Sequence, residues 1–140
     1  MENKRRHLRY PVIHEMDQAI QLAIGDKTIP SLLVDLSAGG MALLTYNNVP
    51  LGSEISLAIN LTGLVTKELV GQVVWSVAKG EMWRIGISFT KVDNIDFRHI
   101  NRMAFDYNDC ETKLKLGVND VCIEKCSYFQ LCQKPVKLKP

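Results

Sequence analysis

The sequence predicts an all-β core, a six-stranded antiparallel β-barrel, followed by one α-helix and a short cysteine-rich tail. Three observations support this fold class. Short apolar stretches alternate with period two and are separated by turn residues up to residue 89. The apolar spacing then changes to a helical period, and all four cysteines lie beyond that point. Six short strands with turns between them favour a closed or nearly closed barrel.

The clearest alternation is that of Ile55, Leu57, Ile59 and Leu61, which predicts one continuous strand. Elsewhere Gly71, Val73 and Trp75 are expected to share one face of their strand. Gly25-Asp26-Lys27 and Lys79-Gly80 read as turns, the first of them a hairpin turn. The six predicted strands lie within residues 12–24, 29–36, 41–45, 55–61, 69–77 and 82–89.

Helical spacing begins after Asp93-Asn94, a pair that could cap a helix. Phe97, Ile100, Ala104 and Tyr107 predict one amphipathic helix of about four turns, packed on the barrel, with Met103 beside this face. The predicted organisation is therefore a basic N-terminal arm over residues 1–10, a barrel with its helix over residues 11–108, and a cysteine-rich extension over residues 109–140.

The composition is that of a soluble globular chain, with 46% hydrophobic residues and a net charge of +2. The charge is too small for a general polyanion binder, and nucleic acid is not an expected partner. No stretch approaches the roughly 18 apolar residues of a membrane span, and the N-terminus lacks a signal-peptide pattern, so we expect a cytoplasmic protein. No catalytic triad, glycine-rich phosphate loop or paired carboxylates stand out, so no enzyme activity is expected.

Two short motifs carry the functional argument. Arg5 and Arg9 stand in the basic arm at the spacing R-x-x-x-R, and Asp35, Ser37 and Gly40 follow at the spacing D-x-S-x-x-G. The second motif reads as a tight polar turn between two strands, in which the short side chains bond the backbone and two glycines supply positive φ. Alone, such a turn is common, but the two motifs in this order and in an all-β chain are more specific.

Together these motifs resemble the PilZ domain, a bacterial receptor module for cyclic di-GMP. The likeness extends through Gly71-x-Val73-x-Trp75 and Gly86-Ile87-x-Phe89 and covers roughly residues 4–107. It implies that the arginines grip guanine and phosphate, that Asp35 and Ser37 read a guanine edge, and that a glycine allows close approach of the backbone. The implied ligand-binding residues are Arg5, Arg6, Arg9, Asp35, Ser37, Gly39 and Gly40.

These residue types suit the ligand chemically. An arginine fork can donate to guanine O6 and N7, and a carboxylate can accept from N1–H and N2–H₂ on the opposite edge. Phosphates require cations or backbone N–H groups. Other guanine nucleotides would satisfy the same groups, so the choice of cyclic di-GMP depends on the family resemblance.

The resemblance implies a receptor or adaptor whose basic arm orders on ligand binding and signals to a protein effector in motility, pilus, biofilm or a similar output. One alternative is a protein of the same fold that acts in pilus or motility assembly without ligand. Another is a metal- or redox-sensing protein that works through its cysteines. Neither the effector nor the oligomeric state can be predicted from the sequence.

The four cysteines form a separate feature, because Cys110, Cys122, Cys126 and Cys132 lie outside the resemblance. Clustered cysteines in a cytoplasmic chain indicate a metal site. Their separations of 11, 3 and 5 residues lack the C-x₂-C pairs of common zinc folds, and the final C-x₅-C is closer to some iron–sulfur sites. An iron–sulfur cluster, zinc, and cysteines without metal remain open alternatives.

Overall fold

A computed structural model describes residues 9–12, 19–61, 63–118 and 126–128. Nine strands and one helix lie in this part of the chain. In chain order they are β1 (Tyr10–Pro11), β2 (Ile20–Ile24), β3 (Lys27–Ser37), β4 (Gly40–Thr45), β5 (Glu54–Leu57), β6 (Asn60–Leu61), β7 (Leu64–Val65), β8 (Leu69–Lys79), β9 (Met82–Lys91) and α1 (Asn94–Lys115).

The main sheet closes on itself and confirms the predicted barrel. Its strands follow the order β3-β2-β5-β8-β9-β4, and β4 pairs back to β3, with every pairing antiparallel. The additional strand β1 pairs with the C-terminal part of β3, next to the region that pairs with β2. The short strands β6 and β7 form a separate hairpin. Closure satisfies the sheet edges that an open sheet would expose.

The two predicted glycine turns are confirmed. Gly25 has a φ of 60° between β2 and β3, and Gly80 has a φ of 64° between β8 and β9. Both hairpins have two-residue loops, since Ile24 pairs with Lys27 and Lys79 pairs with Met82. Positive φ is the conformation that such tight hairpins require and that glycine adopts without strain.

The first strand, which was expected within residues 12–24, is confirmed as β2 over Ile20–Ile24. Residues 13–18 lie outside the described part of the chain. Tyr10, assigned by sequence to the arm, is instead a β1 residue with only 1% of its surface exposed. Because proline lacks a backbone N–H, Pro11 suits this short strand at the sheet margin.

The prediction of one continuous strand over residues 55–61 is wrong. Strand β5 ends at Leu57, and β6 starts at Asn60. Between them, the Ile59 amide donates to the Thr66 hydroxyl at 3.0 Å, and the Ile59 carbonyl accepts from the Thr66 amide at 2.8 Å. Ile59 and Leu61 are buried, as their alternation predicts. The backbone at Asn60 and Leu61, however, belongs to the β6–β7 hairpin and not to the barrel.

The face predicted for Trp75 is also wrong. Val73 pairs with Ile87, whereas Trp75 pairs with Gly86, so β8 contains one extra residue at this point. Such a bulge moves the next side chain to the opposite face of the sheet. The Trp75 ring consequently lies over Gly86, where a Cβ atom would meet the ring at 2.1 Å.

Helix α1 begins where predicted, because the Asp93 carboxylate accepts from the Ile95 amide at 2.9 Å. This hydrogen bond is the main reason that the pKa of Asp93 lies below its usual value. The helix has 22 residues and is longer than the predicted four turns. Ile100, Met103 and Ala104 are buried on the barrel, whereas Phe97 is 36% exposed.

The periodicity after residue 108 is lost because the last turns of α1 are mostly exposed, so no apolar face marks them. The helix ends at Lys115, and Gly117 follows with a φ of 79° and an amide that donates to the Leu114 carbonyl at 3.1 Å. The predicted boundary at residues 108/109 falls inside this continuous helix. Within the described ranges, no helix is long and apolar enough to cross a membrane.

The packing of Trp75 on Gly86 gives a stability prediction. Gly86→Ala should lower the free energy of unfolding by about 1–3 kcal/mol, because its methyl group overlaps the indole ring. In a Trp75→Ala background the same change should cost much less. Urea denaturation of the four proteins in this double-mutant cycle measures the coupling.

Gly40→Ala is the matched control for this cycle. A Cβ atom there would meet the backbone oxygen of Ile87 at 2.1 Å, and removal of Trp75 cannot relieve that contact. Its cost should therefore be the same in both backgrounds. Equal costs for Gly86→Ala with and without Trp75 would contradict the assigned packing.

Candidate functional site

A pocket of about 300 Å³ lies where β1, β3, β9 and α1 meet. Its chemistry is set by one carboxylate and two guanidinium groups. The described residues that line it are Arg9, Tyr10, Pro11, Asp35, Arg84 and Tyr107.

Asp35 lies on β3 and not in the turn where the sequence analysis placed it. The pairing of β3 with β4 shifts between Leu33 and Asp35, so a bulge precedes the carboxylate. Pro11 is the pairing partner of Asp35 on the other edge of β3, which brings the end of the basic arm beside it. The two motifs that the sequence separates are thus neighbours in the sheet.

The two carboxylate oxygens of Asp35 have different surroundings. Oδ2 accepts a hydrogen bond from Nη2 of Arg84 at 3.2 Å. Oδ1 lies 3.8 Å from Nη1 of Arg9, which is an ion-pair distance without hydrogen-bond geometry. Oδ1 is buried and has no hydrogen-bond partner among the described residues. A buried acceptor of this kind is costly unless another group donates to it.

Ser37 is the residue that shapes the turn. Its Oγ accepts hydrogen bonds from the Gly39 and Gly40 amides, each at 3.2 Å, and donates to the Gly40 carbonyl at 3.3 Å. Ser37 is only 5% exposed. Its hydroxyl is therefore engaged within the β3–β4 hairpin, where it fixes the loop of Ala38 and Gly39.

The two turn glycines do not have the conformation expected from sequence. Neither Gly39 nor Gly40 adopts a positive φ, so that interpretation was wrong. Gly40 is needed instead because the Ile87 carbonyl on β9 occupies the space of its missing side chain. The Gly39 carbonyl also accepts from the Phe89 amide at 3.0 Å, which ties the loop to the same strand.

Sequence reasoning missed Arg84, Tyr10 and Tyr107 as pocket residues. Arg84 stands in the alternating run of β9, where it pairs with Leu44 on β4 and reaches across to β3. A polar residue in an apolar alternation only marks an outward position, and strand order is required to place it near Asp35. Tyr107 was predicted on the helix core face and lies at the pocket wall.

Of the predicted site residues, the structure thus brings Arg9 and Asp35 together and places Ser37, Gly39 and Gly40 in the adjoining hairpin. Arg5 and Arg6 lie outside the described residues. The pocket combines a hydrogen-bond acceptor with cationic donors. Such a set can bind a planar polar ring that carries N–H donors and an anionic group.

The structure describes two of the four cysteines. Cys110 on α1 and Cys126 are partly buried, whereas Cys122 and Cys132 lie outside the described residues. The described ranges contain no group of three or more His, Cys, Asp or Glu side chains that could hold a metal ion. The expected metal site therefore finds no support there and stays a prediction.

The PilZ domain family model matches residues 3–106. This match covers most of the sequence, and the chain belongs to the PilZ family. A comparison with curated proteins found no match.

Solved structures give the same fold at low sequence identity. The isolated PilZ domain of Escherichia coli YcgR with c-di-GMP is 20% identical, with a TM-score of 0.52, over 82% of this chain and 98% of that one. YcgR from the same organism in complex with c-di-GMP is 19% identical, with a TM-score of 0.59, over 81% of this chain and 50% of that one. The Bacillus subtilis inhibitor of motility (MotI/DgrA) is 16% identical, with a TM-score of 0.59, over 76% of this chain and 52% of that one. This chain thus spans about half the length of the two larger proteins.

The pairing of Asp35 with Arg84 should contribute little to stability, because the Arg84 side chain is 36% exposed. A double-mutant cycle of Asp35→Ala and Arg84→Ala should give a coupling of about 0.5–1 kcal/mol in the free energy of unfolding. The coupling should decrease at high salt.

The exposed pair of Lys113 and Asp109 on α1, at 3.0 Å, is the control and should show a coupling of about 0.3–0.5 kcal/mol. A coupling of several kcal/mol between Asp35 and Arg84 would contradict this assignment. The pair would then be a main contributor to barrel stability.

Proposed function

We propose that this protein is a receptor for cyclic di-GMP, without catalytic activity, that binds the nucleotide in the pocket at Asp35. The observation that carries the proposal is the Oδ1 atom of Asp35. It is buried without a hydrogen-bond donor among the described residues, beside a pocket that also contains Arg9 and Arg84. A ligand that donates hydrogen bonds and carries negative charge would satisfy these groups together.

Guanine supplies the donors that such a carboxylate requires. Its N1–H and N2–H₂ groups lie on one edge, where they can donate to a carboxylate, and adenine has no donors in that arrangement. Arg84 holds Oδ2 and leaves Oδ1 for the ligand, so the carboxylate need not lose its existing hydrogen bond. We therefore assign the choice of guanine to Asp35 and the positioning of its carboxylate to Arg84.

The phosphates of the ligand would be bound by cations of the arm. Arg9 lies at the pocket with 31% of its side chain exposed, so its guanidinium can still take a second partner. Arg5 and Arg6 stand four and three residues earlier in the sequence and are further candidates for phosphate binding. Ser37, Gly39 and Gly40 would contribute by holding the hairpin that carries Asp35.

Family membership and the fold shared with c-di-GMP complexes of YcgR support this choice of nucleotide. We further propose that the arm closes on bound ligand and changes the surface offered to a protein effector. A ligand-independent role in pilus or motility assembly is the alternative, and the groups gathered at Asp35 argue against it. Equal protection of the arm amides from hydrogen exchange with and without nucleotide would contradict arm closure.

Calorimetric titration tests the receptor directly. Wild-type protein should bind cyclic di-GMP saturably, and Arg9→Ala and Asp35→Ala should each weaken binding by about ten- to a hundredfold, since each loses a charged hydrogen-bond partner. Arg98→Ala, which removes an exposed arginine of α1 outside this pocket, is the matched control and should bind like wild type.

Cyclic di-AMP separates guanine recognition from binding of phosphate alone. Wild-type protein should prefer cyclic di-GMP, and Asp35→Asn should lose most of that preference while its weak binding of cyclic di-AMP stays the same. If neither nucleotide binds in the titration, the receptor proposal is contradicted. Equal affinity of wild-type protein for the two would show that Asp35 does not read the base.

A further inference from the structure

A short segment beyond the family match reaches back to the pocket. Residues 126–128, here called the C-terminal clasp, pack between β1 and α1, and Tyr128 is only 4% exposed. The family match ends at residue 106, so the clasp lies outside the matched region. Its contacts join parts of the sequence that are more than a hundred residues apart.

Tyr128 contacts both tyrosines that line the pocket. Its ring meets that of Tyr10 edge-on, with centroids 5.4 Å apart at 80°, and that of Tyr107, at 5.1 Å and 74°. Edge-to-face contacts of this kind are favourable beyond the burial of area. The Tyr128 hydroxyl donates a hydrogen bond to the Pro11 carbonyl on β1. Burial and, to a lesser extent, the neighbouring Tyr128 raise the pKa of Tyr10.

The clasp is tied to the helix as well as to the strand. The Asp106 carboxylate on α1 accepts from the Ser127 amide at 2.9 Å and from the Ser127 hydroxyl at 2.6 Å. Two hydrogen bonds to one charged acceptor fix the backbone immediately before Tyr128. The ring is thereby held against a helix that is itself packed on the barrel.

Strand β1 is also held by core packing of its own, since Tyr10 is 1% exposed and its hydroxyl donates to Sδ of Met103 at 3.7 Å. The strand has two residues, which pair with Leu36 and Asp35, and the Val12 amide adds one hydrogen bond to the Val34 carbonyl at 2.9 Å. A two-residue pairing is weak by itself, so tertiary contacts must hold it. Arg9 directly precedes this strand and lines the pocket, so we expect release of β1 from β3 to carry Arg9 away from Asp35.

We propose that Tyr128 is a positioning residue for the ligand site, and that the C-terminal clasp holds β1 on the barrel so that Arg9 faces Asp35. The ligand-dependent part rests on the proposed receptor function. Only molecules with β1 docked present the complete site, so the apparent affinity scales with their fraction. By linkage, ligand bound to Arg9 and Asp35 stabilises the clasp in return.

Hydrogen exchange at the Val12 amide in the full-length, ligand-free protein tests whether the C-terminal clasp holds β1 on the barrel. Tyr128→Phe removes only the hydroxyl and should speed this exchange by about two- to tenfold, the effect of one neutral hydrogen bond. Tyr128→Ala also removes both ring contacts and should speed it by at least about tenfold. Tyr46→Phe alters an exposed tyrosine and should change nothing.

Calorimetry with cyclic di-GMP tests whether Tyr128 affects ligand binding through Arg9. Tyr128→Ala should raise Kd at least about threefold at a temperature where the protein remains folded, and Tyr128→Phe should raise it less. In an Arg9→Ala background, Tyr128→Ala should cost clearly less than in the wild type, because the clasp acts through Arg9. A merely structural residue would lower the melting temperature without this dependence on Arg9.

The outcomes separate the two proposals. If wild-type protein binds and Arg9→Ala binds more weakly, an unchanged Kd for Tyr128→Ala overturns the positioning role and leaves the receptor intact. The same loss in both backgrounds also overturns it, because the effect then bypasses Arg9. If wild-type protein binds no cyclic di-GMP, the receptor fails together with the ligand-dependent part of this proposal. Unchanged Val12 exchange in Tyr128→Ala overturns the clasp by itself.

Discussion

The pairing of β3 on both of its edges is the constraint on which the rest of the structure depends. One edge pairs with β4 and closes the barrel, whereas the other pairs with β2 near Lys27 and with β1 near Asp35. Because β1 and β2 share that second edge, the end of the basic arm must lie beside Asp35. The candidate site thus depends on the pairing of β1 with β3, which places Arg9 beside Asp35.

Within the site, the motif residues divide into structural and chemical roles. Ser37 bonds its own hairpin, and Gly40 leaves room for the Ile87 carbonyl, so both serve mainly to place the strand that carries Asp35. Asp35 supplies the carboxylate, with Arg84 on Oδ2 and with Oδ1 buried without a hydrogen-bond donor among the described residues. This division explains how residues that are ordinary in a hairpin can also indicate a ligand site in the proposed receptor.

The sequence predicted what depends on local pattern, such as the strands, their glycine turns and the start of α1 at Asp93. It failed where long-range geometry decides. The bulge that moves Trp75 onto Gly86 is set by pairing with β9, and Arg84 reaches Asp35 only because β9 and β3 both flank β4. The contact of Tyr128 with Pro11 spans nearly the whole chain and has no local signal. The alternation of apolar residues predicts which side chains are buried, but it does not predict which strands are neighbours.

A structure of the full-length protein bound to cyclic di-GMP tests the central claim most directly. The account predicts that a guanine N1–H or N2–H₂ group donates to Oδ1 of Asp35, that Arg84 keeps its hydrogen bond to Oδ2, and that Arg9 contacts the ligand. A nucleotide bound elsewhere on the barrel, or bound at this pocket with Oδ1 still without a donor, would contradict it.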